Sequence, residues 1–231
     1  MQPDPDLLAV LLAGRPSLAE VVSVQDPDGL SRVEIRLHGM RDFPEQTATV
    51  WARVAVPFAG DGHGAFFLPD VGDEVLVAFV AGDPRWPVVL GSLWNGRAKT
   101  DERLGGSGDR VDRWTITGKA GTRIAIEEPA AGGSPKISLT TPSGVTAELT
   151  DEGGGKLTCT AAGNTLTMDT GGVKIQAAAT VEVGAAQVQV TAGMVQVDAA
   201  MSKFSGVVSC DTLIATTVVA TTYTPGAGNV W

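Results

Sequence analysis

Two histidines, two cysteines, adjacent acids such as Asp73-Glu74 and Glu127-Glu128, and the glycine-serine cluster at 105–108 are the residues of this chain best suited to catalysis or metal binding. His38 and His63 stand in separate stretches, and neither has a second histidine or a cysteine at the short spacing a zinc or iron site needs. Asp73-Glu74 and Glu127-Glu128 would suit glycoside hydrolysis only if both carboxylates of a pair faced one substrate. Neighbours on a strand point to opposite faces, so solvated edges or turns account for these acids. Gly105-Gly-Ser107 fails as a nucleophile elbow, because Asp109 stands where the closing glycine is required. Cys159 and Cys210 lack metal or redox spacing and read as small buried apolar residues. Trp51, Trp86 and Trp94 offer faces on which bases stack, but no basic groove accompanies them, so Trp51 and Trp94 read as core or interface residues. No catalytic residue, metal ligand or cofactor is expected, and the chain reads as a non-enzyme.

The formal net charge of −9 has no lysine or arginine run to offset it, so a phosphate backbone is repelled and nucleic acid is not an expected partner. No stretch reaches the roughly 18 consecutive apolar residues of a membrane span, and Met1-Gln-Pro-Asp-Pro-Asp6 lacks the basic region of a signal peptide. Cytoplasmic synthesis is expected, with contact to a membrane only transient and only as part of an assembly. Glycine is abundant, at 29 of 231 residues, while aromatics make up only 5%. With β-branched residues prominent in the second half, this favours strands and tight turns over helices, and an all-β fold is predicted.

The elements divide the chain in two. Residues 7–13, an unbroken run of leucine, alanine and valine closed by Gly14, have no polar face and require a partner surface. From Val21 to about Asn95 the pattern predicts strands at Val21–Val24, Arg32–Leu37, Thr47–Val56, Glu74–Val80 and Pro87–Leu93, enough for a small closed barrel. The polar segment around Gly105-Gly-Ser-Gly108 reads as a linker. Beyond it, apolar residues recur in pairs two apart: Ile124/Ile126, Ile137/Leu139, Leu157/Cys159, Leu166/Met168, Val173/Ile175, Val181/Val183, Val188/Val190 and Val195/Val197. The last three pairs repeat every seven residues with Glu182, Gln189 or Gln196 between them, as a short strand showing one apolar face would. A spacing of two rules out heptads of a coiled coil. One rung cannot bury its own valines, so other strands must close the core. Two closures fit: three successive strands of one chain in a 21-residue coil, or the same strand from three chains in a triangular prism.

The most specific stretches are Trp51-Ala-Arg-Val-Ala-Val-Pro-Phe-Ala-Gly60, Pro69-Asp-Val-Gly-Asp-Glu-Val-Leu-Val77 and Gly82-Asp-Pro-Arg-Trp-Pro-Val-Val-Leu-Gly-Ser-Leu-Trp-Asn-Gly96. Together with Asp26-Pro-Asp-Gly29 and Ser31-Arg-Val33, they resemble the baseplate assembly protein V and central spike family of contractile phage tails, and the equivalent domain of type VI secretion spikes. Gly72 and Gly82 sit where such turns need positive φ or a close backbone, and Val75, Val77 and Phe79 alternate as an inward strand face.

The resemblance implies an oligonucleotide/oligosaccharide-binding (OB) barrel over residues 20–96 and a linker over 97–113. It also implies an intertwined triple-stranded β-helix as a homotrimeric needle over 114–222, with a hub-contacting segment at 1–19 and a tip segment at 223–231. The implied protein is a structural central spike, a puncturing device that a sheath drives forward, assembled into a virion tail or a phage-tail-like particle. The expected trimer core is Val173, Ile175, Val181, Val183, Val188, Val190, Val195 and Val197. Expected partners are a second and third copy, a baseplate hub protein and a conical tip protein of the proline-alanine-alanine-arginine (PAAR) repeat type, docked on Pro225, Gly226, Gly228, Val230 and Trp231. No histidine follows His63, so a metal-free tip is expected. A trimeric adhesin or receptor-binding fibre is the alternative; it should end in a sizeable head, for which the residues after Ala220 leave no room.

Overall fold

The computed structural model describes residues 15–38, 49–104, 110–130 and 132–222. Residues up to Gln176 form one unit and those from Ala177 onward a second. Within the first unit, β1 (Ser17–Ser23), β2 (Val33–Leu37) and β3 (Val50–Val54) are followed by a small hairpin, β4 (Ala59–Gly60) and β5 (His63–Gly64), then by β6 (Glu74–Phe79) and β7 (Pro87–Leu93). Strands β1, β2, β3, β7 and β6 close a barrel in that order, with β3 and β7 parallel and the other pairs antiparallel. This is the strand order expected of an OB barrel.

Alternation explains the closure. Ala19 and Val21 on β1, Val33 and Ile35 on β2, Ala52 on β3, Val75 and Val77 on β6 and Val89 on β7 are at most 1% exposed and form one core cluster, joined by Leu37 and Phe79. The register shifts between Leu76 and Val77 against β7, a bulge that lets the strand bend around the barrel. Gly72 and Gly82 have φ of +89° and +76°, the left-handed conformation their turns demand. The loop before β2 is held by Arg32, whose guanidinium grips Asp26 at 2.7 and 3.0 Å and Asp28 at 2.6 Å while lying over the Trp51 ring. Arg32 holds the Asp26 carboxyl well below the usual carboxylate range.

The barrel begins at Ser17, inside the stretch expected to contact a hub, and residues 1–14 lie outside those described. The hairpin β4–β5 was not anticipated. Trp51 is half-buried under Arg32, whereas Trp94 is exposed.

Past the linker, β8 (Arg113–Thr117), β9 (Arg123–Glu127), β10 (Lys136–Thr140), β11 (Thr146–Thr150), β12 (Lys156–Ala161), β13 (Asn164–Asp169) and β14 (Gly172–Gln176) form a seven-stranded sheet in sequential order. Every neighbouring pair is antiparallel. Over residues 113–176 the chain therefore folds back at each turn instead of coiling in one direction, and the 21-residue single-chain coil is not formed there. The reason is local: the connections are short and rich in glycine, and they reverse the strand. Among the described residues of 177–222 no strand forms.

Two ion pairs fasten the sheet. Lys119, in the turn after β8, pairs with Asp70 in the loop before β6. Glu102 of the linker accepts two hydrogen bonds from Arg123, at 2.7 and 3.2 Å, in a bidentate fork. From Arg123 the charges alternate across the sheet: Glu127 lies 3.5 Å from Arg123 and 3.3 Å from Lys136, which lies 3.5 Å from Glu148.

Two outcomes are expected. Ile35→Ala should destabilise the barrel by about 2–5 kcal/mol, read by hydrogen exchange as lost amide protection in β1, β2 and β6 while β9 to β13 keep theirs. Arg123 lowers the Glu102 pKa through its hydrogen bonds, so the strap is complete above the ordinary carboxylate range and is lost as pH falls through the depressed value. Amide protection in residues 97–104, taken relative to the intrinsic exchange rate at each pH, should therefore fall on acidification, and in Glu102→Gln it should be low already at neutral pH; unchanged protection in the variant would show that the fork does not hold the linker.

Candidate functional site

The pairwise register of the sheet decides what its two faces carry. Trp114 stands opposite Ile126, which stands opposite Ile137, and the row continues through Leu149, Leu157 and Met168 to Val173. A second row, two residues away along each strand, runs Ile116, Ile124, Leu139, Ala147, Cys159, Leu166, Ile175. Side chains i and i+2 share a face, so both rows lie on one side and every strand contributes two residues to it. The opposite side carries Arg113, Thr115, Arg123, Glu127, Lys136, Ser138, Glu148, Thr158, Thr167 and Lys174, with Ala125 as its one buried alanine.

An ordinary half-solvated sheet hides its apolar side and wets its polar one. Here the relation is inverted. Ten of the large side chains on the apolar rows are 42–67% exposed, from Met168 and Ile126 at the low end to Val173 at the high end. The polar side is the more covered, because its long side chains pair with one another and Glu102 of the linker reaches across to Arg123. The result is a ribbon two side chains wide and, at about 4.8 Å per strand, roughly 29 Å long.

Of the residues expected to form a shared core, Val173 and Ile175 lie on β14 at the end of the two rows. Val181, Val183, Val188, Val190, Val195 and Val197 are exposed in the second unit, 58–71% each, on backbone that forms no strand within the chain. Pro225, Gly226, Gly228, Val230 and Trp231 lie outside the described residues. Trp114/Ile116 and Ala147/Leu149 belong to the rows although the sequence reading did not single them out. Arg113-Trp-Thr-Ile-Thr117 has the alternation that could have found the first pair; in Thr146-Ala-Glu-Leu-Thr150 the small Ala147 hides the second. Cys159 is half-buried and Cys210 exposed, so the expected burial of both is not seen in this chain.

The residues first considered for chemistry are dispersed. His38 contacts Glu74 at 3.0 Å, Asp73 accepts from the backbone of Asp70 at 2.8 Å, and Glu127 is shared between Arg123 and Lys136. Among the described residues no group of three or more histidine, cysteine or acidic side chains is placed to hold a metal. No helix among them is long and apolar enough to cross a membrane. What the geometry offers is a surface for association.

Comparison with known proteins falls on the barrel. Residues 17–94 match the type VI secretion system/phage-baseplate injector OB domain. The type VI secretion system spike protein VgrG1a of Pseudomonas aeruginosa is 29% identical over 102 residues, covering 44% of this chain and 16% of that protein. The spike protein VgrG4b of the same organism is 39% identical over 69 residues, 29% of this chain and 8% of that protein. The spike protein VgrG3 of Vibrio cholerae is 33% identical over 85 residues, 35% of this chain and 8% of that protein. The match thus spans between 8% and 16% of the length of these relatives. Residues 17–94, which fold as a closed five-stranded barrel, thus match the injector OB domain of type VI secretion systems and phage baseplates.

Proposed function

We propose that this chain is a structural spike subunit of a contractile injection machine, acting as a homotrimer whose needle is made from residues 114–222. The observation that carries the reading is an injector-type barrel joined to a sheet whose entire apolar side is uncovered. Covering a half-exposed isoleucine or leucine yields about 1 kcal/mol, so the ten exposed residues contribute on the order of 10 kcal/mol per chain. Association costs about 4–15 kcal/mol. The sheet alone is therefore marginal, and the valine pairs of 181–197, whose backbone forms no strand within the chain, supply the surplus when other chains complete them.

In this reading the barrel seats on a baseplate hub protein and the needle is pushed through a target envelope when the sheath contracts. Residues 223–231 carry a separate tip protein of the proline-alanine-alanine-arginine type. The role is mechanical and not enzymatic. A shared core suits it, because no chain can open without exposing apolar surface that all three cover.

Light scattering of the full chain should give the mass of three chains; one or two would reject the reading. Ile137→Asp and Val190→Asp should each abolish the trimer by forcing carboxylates into a dry core, at a cost of several kcal/mol, while Ser138→Asp, on the polar side, should leave the mass unchanged.

A further inference from the structure

The two long edges of the sheet differ, and the difference identifies the surface on which a second copy sits. At the edge beside the Trp114–Val173 row lie the β9–β10 loop, the β11–β12 loop and the β13–β14 turn, with Asp112, Glu127, Glu128, Asp151, Glu152 and Asp169. Arg113, Lys136 and Lys156 are the strand-end cations there, so acids are in excess. At the other edge lie the β8–β9, β10–β11 and β12–β13 turns, where residues 117–123, 140–146 and 160–165 contain no acid of their own; Lys119 and Arg123 there are already paired with Asp70 and Glu102, which leaves the β10–β11 turn uncharged. A groove of about 740 Å³ runs along the acidic edge, floored by Ile126, Ile137, Leu149, Leu157 and Met168 and walled by the loops at Pro135 and at Asp151–Gly155.

We infer that this groove receives the acid-free edge of a second copy, and specifically the β10–β11 turn, residues 141–145; this rests on the trimeric reading above. Connections in a meander alternate between edges, so the turns of one edge stand one strand out of step with the loops of the other. A three-fold rotation about an axis parallel to the rows brings unlike edges together at each corner and keeps every strand at its own level. The β10–β11 turn then falls between the β9–β10 and β11–β12 loops, which wall the groove. Pro142 and Val145, both exposed, enter over the apolar floor, and the acid-free edge meets the acidic one. Such a contact is heterologous and closes into a ring. A two-fold that reversed one sheet against another would set acidic edge on acidic edge, so the charge difference also selects against that pairing.

The test mixes two kinds of full-length chain, Ser143→Cys and Glu152→Cys, carrying different tags and treated with a short bismaleimide, with the unaltered chain as the control for Cys159 and Cys210. Cross-links between the two kinds should exceed those between like kinds by tenfold or more. Like-with-like cross-links in equal or greater amount, or none between unlike chains, in protein whose mass is still three chains would overturn the edge assignment while leaving the trimer intact. A mass of one chain would overturn both.

Discussion

Period-two alternation is the constraint on which this protein depends. Each strand of the sheet, five or six residues long, alternates polar or small residues with apolar ones and so adds only two residues to the apolar rows. Seven such strands in register make a continuous apolar ribbon, too narrow to fold over on itself and with nothing in its own sheet to lie against. Its width argues for several ribbons meeting around a line, since two flat ribbons stacked face to face would leave their margins wet. The same alternation in 181–197 leaves valines without even a sheet, and in the proposed trimer the other chains would supply hydrogen bonds as well as apolar contact there.

The barrel obeys the same rule with the opposite result. Its strands curve, helped by the bulge at Leu76/Val77, until β1 meets β6, and the inward residues find one another within a single chain. The barrel thus buries its apolar face within one chain, and the sheet does not. Between them Glu102 and Lys119 tie the linker and the first sheet turn in place, so the uncovered face is presented from a fixed base.

Much of this was legible in the residues. The barrel could be read from the alternation of Val75, Val77 and Phe79 and from turn glycines at 72 and 82, whose φ values are positive as required. The apolar pairs from Ile124/Ile126 to Val173/Ile175 fall on strands where the spacing put them, whereas Val181/Val183, Val188/Val190 and Val195/Val197 do not. The direction of successive strands could not be read, because residues two apart share a face whether the chain coils onward or doubles back. That choice rests with the connections, and short glycine turns reverse the strand. Strand β11 was missed because Ala147 is too small to register as apolar, and the β4–β5 hairpin because two residues per strand show no period. Cys210 was read as buried on residue type alone, which ignores whether a chain has the neighbours to cover it.

The meander has one consequence for how such a protein comes into being. Each strand of β8–β14 pairs only with its neighbour in the chain, so the sheet has low contact order and forms from local encounters. The described residues of 177–222 form no such pairing within the chain. In the proposed trimer, three preformed ribbons meet first and fix the relative register of the chains, and the valine repeats then close progressively from residue 177 onward. The sheet is thus the nucleus of a zipper: a slip in register, which a seven-residue repeat would tolerate by sliding one whole rung, is excluded before the repeat begins to fold.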